Sequence, residues 1–243
     1  MEQPILSIVI PFFNEADNVS AVVGSLIAKL VKADITHEIL LVDNGSTDAT
    51  RERAQAVVKA HATARIVVVE RNHGYGGGVL AGLCRARGRY LGFITGDGQV
   101  MPEAVLEVYR HLTESRLDFC KAVRQVRSDG WQRAALSRWG NRLFCWCFPM
   151  LRTYDINGSP KLFTRSMYER LQPTSTDWFL DAEIVIKAHL LRAAIGEVPV
   201  ESPARASGES HVRWTTVVEF LRNLARYRWG RALVEWQTGG QAP

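Results

Sequence analysis

Four short apolar runs constrain this chain most: Leu6 to Ile10, Glu38 to Val42, Arg65 to Val69 and Tyr90 to Ile94, each separated from the next by a stretch long enough for a helix. The runs are rich in β-branched residues and lack polar alternation, the pattern of strands buried on both faces of a parallel sheet. Between the first two, Val19, Val22, Val23, Leu26 and Leu30 share one helical face. Thr47 to Ala60 predicts a second helix behind a Ser-Thr-Asp start, and Val79 to Arg87 a third. A β-α-β-α-β-α-β order predicts an α/β fold with a parallel sheet and right-handed crossovers.

Beyond residue 100 the pattern is less regular: helix Pro102 to Ser115, strand Leu117 to Val123, a basic stretch Lys121 to Arg142, an aromatic-rich segment, strand Lys161 to Phe163, helix Asp181 to Leu191 and strand Glu197 to Val200. At 243 residues and 47% hydrophobic, the chain can build one sizeable core. A single domain over 1–213, followed by an amphipathic helix and tail over 214–243, is the expected organisation. The charge balance is +5, which suits phosphorylated small molecules or an anionic membrane face and predicts no nucleic acid partner. Cys84, Cys120, Cys145 and Cys147 form no CxxC pair and have no histidines at zinc spacing, so neither a metal cage nor a disulfide framework is expected. The run Ile5 to Phe13 lacks a basic n-region and a cleavage site, and reads as a core strand rather than a signal peptide. The run Leu143 to Leu151 is far shorter than the ~18 residues a membrane span needs. The expected location is the cytoplasm.

In parallel sheets ligands gather at the C-terminal ends of strands, and here those ends carry the polar residues: Pro11 to Glu15, Asp43 to Asp48, Asn72 to Gly78, and Thr95 to Gln99. The glycine-rich loop Asn72 to Gly78 could bring backbone N–H groups to a phosphate, or could simply be a tight turn. A dinucleotide fingerprint would follow the first strand, and a Walker Lys-Ser/Thr pair is absent. Asp43 and Asp97 each close a strand; each alone can be a turn or N-cap residue, while together they predict two carboxylates in one cleft.

The ordered set Ile-Pro-Phe-Phe-Asn-Glu (10–15), Leu-Val-Asp-Asn-Gly-Ser-Thr-Asp (41–48), Asn-His-Gly-Tyr-Gly (72–76), Gly-Asp-Gly-Gln with Pro-Glu (96–103), Asp-Ile-Asn-Gly (155–158) and Asp-Ala-Glu (181–183) resembles the family 2 glycosyltransferases of GT-A fold. It is most similar to their dolichyl- or polyprenyl-phosphate hexosyltransferase branch. The resemblance covers residues 5 to 213 and implies a Rossmann-type sheet flanked by helices. It further implies a nucleotide-sugar donor, a polyprenyl phosphate acceptor, inversion at the anomeric carbon, and Mg²⁺ or Mn²⁺ as cofactor.

Site residues follow from the same resemblance. Pro11, Asn14, Glu15, Asp43 and Gly74 would line the nucleotide-sugar pocket, with Asp43 accepting from a base N–H. Asp97 would bind the divalent ion at the donor diphosphate, with Gln99 nearby; a hard cation there stabilises charge on the leaving group. Arg124, Arg133, Ser137 and Arg205 fall where the branch places phosphate-binding groups, and Arg133 joins Asp97 and Asp181 among the catalytic positions. Two departures stand out: Thr95 occupies the first place of the family's acid-x-acid motif, removing one direct carboxylate, and Asn44 replaces a second acid at the end of the second strand.

Three segments carry double readings. Lys121 to Arg133, with Arg138 and Arg142, is either a solvated surface or a guanidinium cluster for phosphates. Leu143 to Leu151 is either a core helix or an apolar lip for a lipid chain. Trp214, Val218, Leu221, Ala225, Trp229, Leu233 and Trp236 fall on one helical face flanked by Arg222, Arg226, Arg228 and Arg231; this is the composition of a membrane-surface helix, or of a helix packed on its own core. The expected activity is hexosyl transfer to a polyprenyl phosphate, peripheral at the inner face of the cytoplasmic membrane. A phosphate acceptor is already anionic and needs little help from a base, whereas a hydroxyl acceptor would require one, from Asp181 or Glu183; those acids can equally serve helix N-terminal charge stabilisation. The alternatives are a family 2 transferase with a hydroxyl acceptor, and a sugar-nucleotide-binding protein that has lost catalysis, suggested by Thr95.

Overall fold

The computed structural model describes residues 3–127, 142–149, 151, 153, 155–202 and 214–238. Strands β1 (Leu6–Phe12), β2 (His37–Asn44), β3 (Ala64–Val69), β4 (Tyr90–Phe93), β5 (Phe119–Arg127), β6 (Lys161–Thr164) and β7 (Ile195–Ser202) form one seven-stranded sheet in the order β3-β2-β1-β4-β6-β5-β7. The first four pair in parallel, as the sequence predicts. Strand β6 runs antiparallel to both its neighbours, and β7 is parallel to β5.

Helices α1 (Ala16–Lys32), α2 (Thr50–Ala60) and α4 (Pro102–Glu114) cover one face. Ile8 and Ile10 of β1 meet Val19, Val23, Leu26 and Leu30 of α1 there. Helices α3 (Gly74–Leu83), α5 (142–147), α6 (Arg165–Leu171), α7 (Leu180–Leu190), α8 (Trp214–Trp229) and α9 (Ala232–Gln237) complete the chain order. Val9, between the two isoleucines, points to the opposite core with Val79, Leu83, Phe144, Phe179 and Leu224. This is the period-2 alternation of a strand buried on both sides.

Two sequence expectations are corrected. Helix α3 begins at Gly74 rather than Val79, so most of the expected glycine-rich loop is helical. Glycine costs a helix about 1 kcal/mol per residue, yet close packing demands it here. A Cβ at Gly82 would lie 2.3 Å from Val9 Cγ1, and one at Gly76 would lie 2.3 Å from the Ser175 carbonyl oxygen. The C-terminal apolar stripe is likewise not one continuous face. Helix α8 stops at Trp229 and α9 restarts at Ala232, so Leu233 packs against the core and Trp236 lies 5.1 Å beneath the Lys187 ammonium. Within α8 the double reading resolves: Leu224 and Tyr227 pack inward, while Val218 and Trp229, each 63% exposed, face out. Helix α5 combines its two readings, burying Phe144 and Cys147 and leaving Trp146 71% exposed.

The same substitution should have opposite signs at two helical glycines. Gly82→Ala drives a methyl group into Val9 and should destabilise by roughly 1–3 kcal/mol. A methyl group added at Gly24 of α1 would meet nothing within 4 Å, so Gly24→Ala should stabilise by about 0.5–1 kcal/mol. Urea unfolding of both variants checks the pair.

Candidate active site

The ends of β1 and β2 are latched to each other. Asn14 adopts a left-handed backbone with φ 54°; its side-chain oxygen accepts from Thr47 N at 2.8 Å, and its own N–H donates to Ser46 Oγ at 3.2 Å. Glu15 N donates to Thr50 Oγ1 at 2.9 Å, and its carboxylate accepts from Asn18 Nδ2. Asp43 is fully buried at the end of β2: Oδ1 accepts from Ser46 N at 3.0 Å and Oδ2 from Arg51 Nε at 2.7 Å. Arg51, on the first turn of α2, belongs to no motif, and nothing in the sequence pairs it with Asp43. Asn44 accounts for one departure from the family pattern. Its Nδ2 donates to the Gly74 carbonyl at 2.8 Å, a bond that an ionised aspartate could not make.

Gly74 and Tyr75 open α3 beneath a strap formed by residues 172–179. Gly77 N donates to the Thr176 carbonyl at 2.8 Å, and Tyr75 stacks on Trp178 with centroids 4.5 Å apart and planes at 7°. Burial, then the charges of Asp181 and Asp97, push the Tyr75 hydroxyl well above its ordinary pKa. The stack sets the start of α3 against the residues that lead into α7.

Beyond β4, Asp97 Oδ1 accepts from Thr95 Oγ1 at 2.8 Å and from Gln99 N at 3.1 Å. Thr95 therefore orients the remaining acid instead of supplying a second one. Asp181 is 4% exposed and ion-paired with Lys161 Nζ at 2.5 Å. Glu183, the other candidate base, is fully committed to the strap. Its carboxylate accepts from Thr174 N at 3.0 Å and Ser175 N at 2.7 Å, and pairs with Lys187 at 2.6 Å. Burial works against its charge, but Lys187 and these hydrogen bonds prevail and hold the carboxyl below its ordinary value. Arg124 makes a bidentate contact with Asp155 at 2.7 and 2.9 Å. Arg133, Ser137 and Arg205 lie outside the described residues, as does most of the basic stretch.

A family model for glycosyl transferase family 2 matches residues 7–171. The chain belongs to this family. It is 30% identical over 207 residues to dodecaprenyl-phosphate galacturonate synthase of Rhizobium johnstonii, covering 84% of this chain but only 61% of that protein. It is 24% identical to dolichyl-phosphate beta-glucosyltransferase of Dictyostelium discoideum, over 96% of this chain and 76% of that one. Both names fall in the polyprenyl-phosphate branch that the motifs resemble. Glucosyl-3-phosphoglycerate synthase from Mycobacterium tuberculosis, in complex with phosphoglyceric acid, superimposes with a TM-score of 0.75 at 22% identity, over 93% of this chain and 80% of that one. The same synthase with Mn²⁺, UDP and glucosyl-3-phosphoglycerate gives 0.70 at 21%, over 98% and 81%. These likenesses establish the GT-A fold.

Glu183 should prove structural by its pH signature. A depressed carboxyl pKa contributes stability that is fully present above its ordinary value of 4.5 and is lost as pH falls through the lower folded value. Glu183→Gln should lower stability at pH 7 by about 3–5 kcal/mol, since it leaves Lys187 buried without its counter-ion. It should also flatten the acid limb of the stability curve, read by chemical unfolding at pH 3 to 7.

Proposed function

We propose that this chain transfers a hexosyl group from a nucleotide sugar to a polyprenyl, dolichyl-type phosphate, with inversion, as a peripheral protein at the inner face of the cytoplasmic membrane. The observation that carries the reading is the outer face of α8. Val218 and Trp229 are each 63% exposed and Leu221 43%, and Arg222, Arg226, Arg228 and Arg231 are exposed around them. Apolar burial combined with attraction to anionic headgroups is the chemistry of a membrane-surface helix. No described helix is long and apolar enough to cross a membrane. The names of the two relatives support a polyprenyl phosphate acceptor.

Pro11, Asn14, Glu15, Asp43 and Gly74 form the donor side in this reading. Asp43 is assigned to the base N–H, although Arg51 and the Ser46 amide close off its carboxylate in the structure. A divalent cation, Mg²⁺ or Mn²⁺, fits the residues in one respect: Asp97 Oδ1 is held by Thr95 and Gln99, while Oδ2 has no hydrogen-bond partner among the described residues. No group of three or more His, Cys, Asp or Glu gathers among those residues. Asp97 would therefore hold the ion together with the donor's diphosphate oxygens, with Gln99 alongside. When bound, the ion supplies Lewis-acid stabilisation of charge on the departing diphosphate.

Arg124, Arg133, Ser137 and Arg205 are assigned to the acceptor phosphate, whose oxygens suit the planar fork of guanidinium groups; Arg124 would reach it with the N–H groups that Asp155 leaves over or by exchanging that partner. A phosphate oxygen attacks the anomeric carbon opposite the nucleoside diphosphate. The new C1–O bond forms as the old one breaks, and the electron pair leaves with the diphosphate. No proton need be removed from an acceptor already ionised near neutral pH. A hydroxyl acceptor is the second reading, with Asp181, ion-paired to Lys161, as the candidate base.

Incubation with a panel of nucleotide sugars, Mn²⁺ and undecaprenyl phosphate in anionic vesicles should yield a lipid-linked monosaccharide and a nucleoside diphosphate. Transfer only to a soluble hydroxyl acceptor such as 3-phosphoglycerate would contradict the lipid reading. Replacing Val218, Leu221 and Trp229 together by serine should release the protein from the vesicles while nucleotide binding persists. Salt should weaken the wild-type contact, since each basic residue contributes ~1 kcal/mol at a surface screened over ~10 Å at 0.1 M. Thr95→Asp should tighten Mn²⁺ in the presence of UDP by adding a carboxylate at the ion, read by calorimetry. Unchanged affinity would place residue 95 away from the metal.

A further inference from the structure

We propose that Lys161 is a positioning residue for the transfer reaction: its buried ammonium fixes the Asp181 carboxylate in place between the end of β4 and the strap. The inference rests on the second of the two readings above, in which Asp181 is the base for a hydroxyl acceptor. It adds a residue that no motif in the chain points to.

Lys161 opens β6 near the centre of the sheet. It sits across from Phe93 of β4 and Lys121 of β5, and is 0% exposed. Its Nζ lies 2.5 Å from Asp181 Oδ1, donates to the Gly158 carbonyl at 2.8 Å, and stands 5.8 Å over the Phe93 ring. An ammonium held by contacts from three separate segments has little freedom to follow any other group. The neighbouring Lys121 does not compete for Asp181. It donates to the Asp155 carbonyl at 2.6 Å and pairs with Glu197 at 2.9 Å. The two buried lysines thus divide their partners, and Asp181 falls to Lys161.

Stability gives this arrangement little reason to exist. Burial is the main influence against the Lys161 charge and Lys121 adds to it, while Asp181 and Asp155 support it. A buried ion pair is often no more stable than apolar side chains of the same size, whereas removal of one partner strands the other without compensation. A methionine at 161 and a neutral residue at 181 would suit this core at least as well. What the pair supplies is a carboxylate held at a defined point. That point lies between the end of β4 and the strap: Lys161 sits across from Phe93, the last residue of the strand that leads to Asp97, and Asp181 follows Trp178, which stacks on Tyr75. Without Lys161, nothing among the described residues would hold the Asp181 carboxylate at that point.

The test uses wild type, Lys161→Met, Asp181→Asn and the double variant, with Lys161→Arg as the conservative replacement. At saturating donor and acceptor, Lys161→Met should lower kcat by at least about tenfold and move the donor KM by less than about threefold. In the Asp181→Asn background the same change should alter kcat by less than about twofold, because a residue acting through Asp181 has nothing left to act on. Lys161→Arg should recover part of the loss. Equal losses in both backgrounds, or a Lys161→Met kcat within about twofold of wild type, would overturn the proposal. Urea unfolding of the four proteins gives a second cycle that needs no turnover: each single variant should be destabilised and the double variant should recover. Additive losses would overturn the pairing. If Lys161→Met does not fold, the charge-neutral double variant and Lys161→Arg still close the comparison. If wild type transfers no sugar from any donor, the functional reading fails, and the unfolding cycle still decides whether Lys161 holds Asp181.

Discussion

Helix α3 can lie where it does because the side it turns to the sheet and the strap is glycine. Gly82 brings it onto Val9 and Val42, and Gly76 admits the Ser175 carbonyl to a distance that any side chain would forbid. The rest of the site depends on that approach. It lets Asn44 reach the Gly74 carbonyl, lets Gly77 bond to Thr176, and sets Tyr75 against Trp178. A helix set further out by side chains would separate the strand ends from the strap.

On this frame each carboxylate has its own restraint. Arg51 and the Ser46 amide hold Asp43, Thr95 and the Gln99 amide hold Asp97, Lys161 holds Asp181, and Arg124 holds Asp155. Acids fixed before substrate arrives need not reorganise during the reaction, which is the main way in which charged groups assist a transfer. Glu183 is set apart by its surroundings: with strap amides and Lys187 around it, it organises the strap and has no oxygen directed at chemistry. The strap in turn reaches α8 through the Asp177 contact with Asn223. The helix that exposes Val218 and Trp229 is therefore tied to the same segment that covers α3.

The parallel half of the sheet was legible because Leu6 to Ile10 and its three counterparts signal their burial without reference to anything distant. Asp43 was legible because it lies at the end of β2, and Asp97 because it follows β4 in the loop after Phe93. The start of α3 was not, since local propensity at Gly74 to Gly78 argues against helix and the reason for helix lies at Ser175 and Thr176, a hundred residues away in the chain. Lys161 escaped for the same reason: its partner Asp181 comes from another element, and a lone lysine before Leu162 and Phe163 reads as a strand edge. The outer face of α8 was visible as a stripe through Val218, Leu221 and Trp229, but which way it points is decided by Leu224 and Tyr227 packing inward. Gly230, where α8 gives way to α9, then removes Leu233 and Trp236 from it.

If the ends of β1, β2 and β4 form one donor site, Asp97 faces the diphosphate and Asp43 the base. A crystal structure of the protein grown with UDP and Mn²⁺ tests this most directly. The ion should lie within direct coordination distance of Asp97 Oδ2, roughly 2.0–2.3 Å as for hard cations on oxygen ligands, with the uracil against Asp43. Nucleotide density elsewhere on the chain, or an ion coordinated without Asp97, would contradict it.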